Sequence, residues 1–224
     1  LLPVPARHLT RLTPEHLGRS FMYFPLIGSL LGAAALLPAA LLPGVVSPLL
    51  LAVAVTAFHA VATRALHLDG VADLADALGG GFSAERRLEI MKDSRIGAFG
   101  AVAITLVLLF KVAAYHQVLT LGFRTPLLLA PTLSRLVMVA AAYHSSHARP
   151  TGGLATPFLD HLTSTQLLGA ALYSTICTVL LDPLAAVFYL LFTVASAAFF
   201  RYLARQTLGG MTGDVLGAAQ EVTE

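Results

Sequence analysis

The sequence predicts an all-α, polytopic membrane bundle, and three observations carry that prediction. Of its 224 residues 57% are hydrophobic and 12% charged, none is Trp, and the mean hydropathy is +0.79, well outside the range of a soluble domain. Uncharged apolar runs recur at about 20 residues, the length a helix needs to cross a hydrocarbon core of about 30 Å. Barrel strands would instead be about 10 residues long with alternating polarity. The Lys and Arg residues, finally, gather on alternate connections between the runs.

Taken in order, the runs predict spans at 21–42, 46–66, 99–119, 126–145, 166–181 and 183–202. Asp182-Pro183 makes a tight connection between the last two. The stretch after Gly213 begins another helix, and a seventh span is expected beyond Glu224, in a chain expected to be trimmed at both ends. The first apolar run follows 20 mixed residues and is long enough to span, unlike a cleavable signal peptide.

With a cytoplasmic N-terminus, the cytoplasmic segments hold Arg7, Arg11, Arg19, Arg64, Arg86, Arg87, Lys92, Arg95, Arg149, Arg201 and Arg205, eleven of the 14 basic residues. Outside there is Arg124, while Lys111 and Arg135 lie within spans, where they are expected to snorkel or pair inside the bundle. The chain reads as a single transmembrane domain over 1–224, with cytoplasmic active-site segments at 64–98 and 206–224. The net charge of +2 and pI of about 8.9 follow from this topology. No basic stripe with interleaved aromatics suggests nucleic-acid binding. Cys177 has no partner for an internal disulfide and reads as a small packing residue.

The chemistry concentrates in one stretch. Six of the 12 carboxylates fall between Asp69 and Asp93. Asp69, Asp73 and Asp76 stand at i, i+4 and i+7, on one stripe of a helix. Glu89 and Asp93 form a second i, i+4 pair. Carboxylates stacked this way repel unless a cation sits among them, and charge at a span end tends to be functional. Oxygen-only ligands with no Cys or His at zinc spacing select a hard cation such as Mg²⁺. Lys92 and Arg95 would suit phosphate oxygens, although with Arg86 and Arg87 they could also pair off the acids as a solvated interfacial helix. Gly79-Gly80-Gly81 permits a reversal bringing Glu89 and Asp93 back toward Asp69 and Asp73. Gly209-Gly210-Met211-Thr212-Gly213-Asp214 is a second polar turn on the same face, able to bind phosphate through its amides or to serve simply as a connection. His67 is placed to orient a carboxylate or contact substrate, whereas His59 reads as a buried, hydrogen-bonded histidine. The 146–165 loop is long enough to cover a substrate.

Three segments, His67-Leu-Asp-Gly-Val-Ala-Asp-Leu-Ala-Asp76, Arg87-Leu-Glu-Ile-Met-Lys-Asp-Ser-Arg-Ile-Gly97 and Leu208-Gly-Gly-Met-Thr-Gly-Asp-Val-Leu-Gly-Ala218, closely resemble the signature motifs of the cobalamin synthase family. Leu2-Pro-Val-Pro5 and Phe24-Pro-Leu-Ile-Gly28 resemble its N-terminal segments. The resemblance runs from Leu2 to about Glu221. It implies a Mg²⁺-dependent transfer that joins α-ribazole, or its 5′-phosphate, to adenosylcobinamide-GDP with release of GMP. Residue by residue it implies Asp69, Asp73, Asp76, Glu89 and Asp93 as metal ligands, Asp76, Asp73 and His67 as catalytic groups, and Lys92, Arg95, Gly210, Thr212 and Asp214 as substrate contacts; Asp76 is our choice of base, although spacing does not separate a base from the ligands. The implied partners are those two substrates and the lipid bilayer, with the site facing the cytoplasm. Two rival readings use the same carboxylates. A CDP-alcohol phosphotransferase would carry Ala-Arg after its Asp-Gly pair, but here Asp69-Gly70 is followed by Val71-Ala72-Asp73. A cation carrier would place its acids near the midplane, often in repeated halves, and no internal repeat is evident.

Overall fold

The computed structural model describes residues 13–41, 45–149, 152–153 and 155–224. The Leu2–Pro5 motif, Arg7 and Arg11 lie outside them. Eleven α-helices follow one another among these residues: α1 (Pro14–Ser20), α2 (Phe24–Leu41), α3 (Pro48–Ala62), α4 (Leu66–Gly80), α5 (Ala84–Ile90), α6 (Ala98–Thr120), α7 (Thr125–Ala142), α8 (Thr156–His161), α9 (Ser164–Leu181), α10 (Ala186–Leu208) and α11 (Gly213–Thr223). The six expected spans correspond to α2, α3, α6, α7, α9 and α10. Four of them, α6, α7, α9 and α10, are each long and apolar enough to cross a membrane, as is the Pro14–Pro38 stretch. The sixth, α3, meets the length only together with α4, from which it is bent by 88°.

Local sequence explains where these helices start. Ser47, Ser83 and Thr212 accept the N–H of Leu50, Arg86 and Val215 at 3.3, 3.2 and 3.2 Å, each capping a helix N-terminus. Pro48 stands at the first helical position of α3, where its missing N–H costs nothing. Gly209, at φ +76°, ends α10 in the left-handed conformation a glycine adopts without a Cβ penalty.

α7 is the central helix. It is largely buried, whereas α6 and α9 face their surroundings with Leu, Val and Phe. Apolar contact with lipid offers no driving force for such helices to associate, so close packing of small residues must supply it. Gly28 and Gly32 of α2 provide that seam: a Cβ on Gly28 would stand 2.1 Å from the Pro131 carbonyl oxygen, and one on Gly32 2.6 Å from that of Leu127. Ser29 and Thr132 hydrogen-bond across it at 2.8 Å, and Tyr173 of α9 donates to Ser29 at 2.9 Å. At one end of the bundle Phe21 stacks on Phe158 at 4.5 Å, fastening α8 beside the start of α2. The same end carries α1, α4, α5, residues 143–149 after α7, and the start of α11.

Candidate active site

The acidic stripe lies on α4, and the backbone turns sharply to put it there. Arg64 and Ala65 both have φ of +54°, a left-handed conformation that strains residues bearing a Cβ. The Ala65 N–H bonds to Ala60 O at 2.7 Å and the Thr63 hydroxyl to His59 O at 2.9 Å, holding the bend. Beyond it α4 buries His67, Leu68, Gly70, Val71, Ala72, Leu74 and Ala77. Asp69 is exposed and Asp73 and Asp76 are half-buried.

α11 crosses α4 at two glycines. A Cβ on Gly70 would meet the Asp214 carbonyl oxygen at 2.6 Å, and one on Gly217 would lie 3.2 Å from the His67 Cα. That approach brings Asp214 to Asp69 and Asp73. Burial first, then the charges of Asp69 and Asp214, push the Asp73 carboxyl up to about 7. Burial also raises Asp214, with Asp69 adding and Arg149 opposing. Arg149 donates to Asp214 Oδ2 at 3.1 Å. It is held there because the 146–148 backbone lies against the glycine turn: the Met211 N–H donates to Ser146 O at 2.7 Å, the Ala148 N–H donates to Met211 O at 3.2 Å, and a Cβ on Gly210 would collide with this backbone at 2.6 Å. Thr212 is buried and spends its hydroxyl on capping α11.

Asp76 is committed differently. Its two oxygens accept the N–H of Gly97 at 2.7 Å and of Gly100 at 2.8 Å, so a carboxylate from α4 caps the N-terminus of α6. The reversal after Gly81 therefore returns Gly97 and Gly100 to the stripe. Glu89 pairs with Arg86 at 3.0 Å on the exposed face of α5, and Asp93 is held well down, to about 2, by hydrogen bonds from Arg95. Lys92 is exposed. Arg87 donates to Gly81 O at 2.9 Å and Thr207 O at 3.0 Å, linking the ends of α4 and α10. Thus Asp69, Asp73 and Asp214 come together, with Asp76 on the same stripe, while Glu89, Asp93 and Arg95 pair along their own segment. Among the described residues no three His, Cys, Asp or Glu side chains converge at metal-ligand spacing. The mutual repulsion at Asp73 marks a set of hard oxygen donors that a divalent cation would relieve.

Beneath this cluster lies a buried ionic network. Lys111 of α6 pairs with Glu221 at 2.5 Å and Glu224 at 3.1 Å, and Arg135 of α7 with Glu224 at 3.3 Å. His59 of α3 reaches the same Glu224 at 2.7 Å. The two spanning cations do pair inside the bundle, and the histidine is buried and bonded. Their acidic partners, Glu221 in the last turn of α11 and Glu224 immediately after it, belong to none of the motifs that the sequence makes prominent. Yet Glu221 and Glu224 share a helix face at i, i+3, and two cations in apolar spans are a signal that partners are needed. His67 bridges the layers: buried, with its imidazole lowered to about 4 chiefly by burial and then by Arg135, it stands 4.0 Å from Glu221.

Fold and site together define a multi-pass helical membrane protein with a carboxylate centre at one end of its bundle. The chain matches the sequence profile of cobalamin-5-phosphate synthase over residues 1–224. It is 54% identical over 213 residues to an adenosylcobinamide-GDP ribazoletransferase of Syntrophobacter fumaroxidans, covering 95% of this chain and 86% of that protein. Proteins of the same name from Pseudomonas putida and Prosthecochloris aestuarii are 40% and 39% identical, each over 94% of this chain and 85% and 86% of theirs. No solved structure matches. The chain belongs to the cobalamin-5-phosphate synthase family, transferases of cobalamin biosynthesis.

Proposed function

We propose that the protein transfers the phosphocobinamide group of adenosylcobinamide-GDP to α-ribazole or its 5′-phosphate, releasing GMP. The observation that carries this reading is the Asp69, Asp73 and Asp214 cluster, built where two family motifs meet across Gly70. The ribazole hydroxyl attacks the phosphorus attached to cobinamide. The new P–O bond replaces the bond to the GMP oxygen, and the hydroxyl proton leaves to a base. Asp69 and Asp214 would hold Mg²⁺, which when bound stabilises charge on the diphosphate. We assign the proton to Asp73, because both oxygens of Asp76 already accept backbone N–H groups. A carboxyl near neutrality can take a proton and return it. Asp76 then fixes α6 against α4, and His67, neutral and buried between α4 and α11, holds the two acidic helices in register.

Purified protein in detergent should release GMP from adenosylcobinamide-GDP in a manner dependent on both α-ribazole and Mg²⁺, with mass spectrometry identifying the product. Release without the acceptor would remove the transferase reading, and full activity in EDTA would remove the metal. The site is proposed to face the cytoplasm across the inner membrane. A Ser83→Cys label in a Cys177→Ala background should then react with an impermeant thiol reagent in inverted vesicles, and a Gly122→Cys label in right-side-out ones.

A further inference from the structure

Four cations near the acidic helices are already engaged or turned outward. Arg86 and Arg95 bind carboxylates on their own segment, Arg87 binds two carbonyls, and Lys92 is exposed. Arg149 differs from all of them. It is the cation that acts on Asp73 alongside the three aspartates, and its Nη2 already lies 3.1 Å from Asp214. Its Nε is enclosed by protein and, among the described residues, has no hydrogen-bond partner. A guanidinium presents five donors in a planar fork that matches phosphate in pairs, and enclosing one of them without an acceptor is costly. The arginine does not reach the aspartates by chance of a long side chain. Its backbone is laced to the glycine turn through Met211, at an approach that only the missing Cβ of Gly210 permits.

We infer that Arg149 is the substrate's diphosphate-binding residue, holding Asp214 until the nucleotide arrives and then offering its fork to the phosphate oxygens. This inference rests on the transferase reading above and assigns to the α7–α8 connection the role that spacing alone suggested for Lys92 and Arg95. It also gives the Gly209–Asp214 motif a physical role, since the turn positions the arginine through Gly210 and its acidic partner through Asp214.

The test uses the full chain in detergent with Mg²⁺. Arg149→Ala should raise the KM for adenosylcobinamide-GDP by about ten- to a hundredfold, the worth of a hydrogen bond to a charged group, while the KM for α-ribazole moves less than about twofold. Arg149→Lys should recover part of the loss, and added guanidinium should partly rescue the alanine variant. Arg124→Ala, an exposed cation between α6 and α7, should leave the same KM unchanged. Inorganic pyrophosphate, titrated calorimetrically with Mg²⁺, should bind wild-type protein and bind Arg149→Ala correspondingly more weakly. An unchanged KM for the nucleotide substrate in both Arg149 variants would overturn the assignment, as would equal pyrophosphate binding. Wild-type protein that binds pyrophosphate through Arg149 but releases no GMP would instead overturn the transferase reading and leave the anion site standing.

Discussion

Partial burial and the like charges of three aspartates, Asp69, Asp214 and Asp76, act on Asp73, and the consequences can be measured without substrate. Its carboxyl titrates near 7 in the folded protein against an ordinary value of 3.8. Between those values the native state binds the extra proton, so stability declines as pH rises from about 4 to about 7. In EDTA, the melting temperature of the wild-type protein should fall across that window, and Asp73→Asn should flatten the fall. Mg²⁺ added at pH 8 should restore stability to the wild type and much less to the variant. The same substitution should abolish transfer while the protein stays folded in detergent, and a fully active Asp73→Asn enzyme would exclude Asp73 from the chemistry. Asp76, identical in type and one turn away, instead caps α6. Periodicity on a stripe cannot separate two such aspartates, because the difference lies in what a helix 21 residues later presents to them.

Helices were legible because their cause is local. The six apolar runs, the capping residues and the glycine stop at Gly209 all lie where they act in the chain. The bend at Arg64 and Ala65 was not legible, since neither residue type favours positive φ and the turn is imposed by the packing on either side. Arg149 was invisible for a related reason: it sits in an aperiodic connection and acquires its meaning from Gly210, some 60 residues away. The element-scale prediction concerns the α4–α11 crossing. Gly70→Ala forces a methyl to within 2.6 Å of the Asp214 carbonyl, so the helices must separate. Overpacking of this kind costs about 1–3 kcal/mol, and displacing Asp214 should lower kcat by roughly ten- to a hundredfold. Gly217→Ala, with 3.2 Å available, should be far milder. Equal kcat values for the two variants would show that the crossing does not set the site.

Across the whole molecule, Lys111, Arg135, Glu221 and Glu224 bind three helices through charges withdrawn from water. Removing one member leaves its partners uncompensated, so Lys111→Met should destabilise the detergent-solubilised protein by about 3–5 kcal/mol. Lys111→Met combined with Glu221→Gln should cost less than the two single changes together, and strict additivity in that cycle would mean the residues are not coupled. The network also imposes an order of events on synthesis. α6 and α7 emerge first and carry two cations into an apolar setting, whereas their counter-charges are made about 90 to 110 residues later, on α11. Until that helix docks, the bundle holds unbalanced charge and Asp214 is absent from the aspartate cluster. The last described helix to be synthesised therefore neutralises the interior and completes the site in one step, so a chain interrupted before Gly213 would be both inactive and a substrate for quality control.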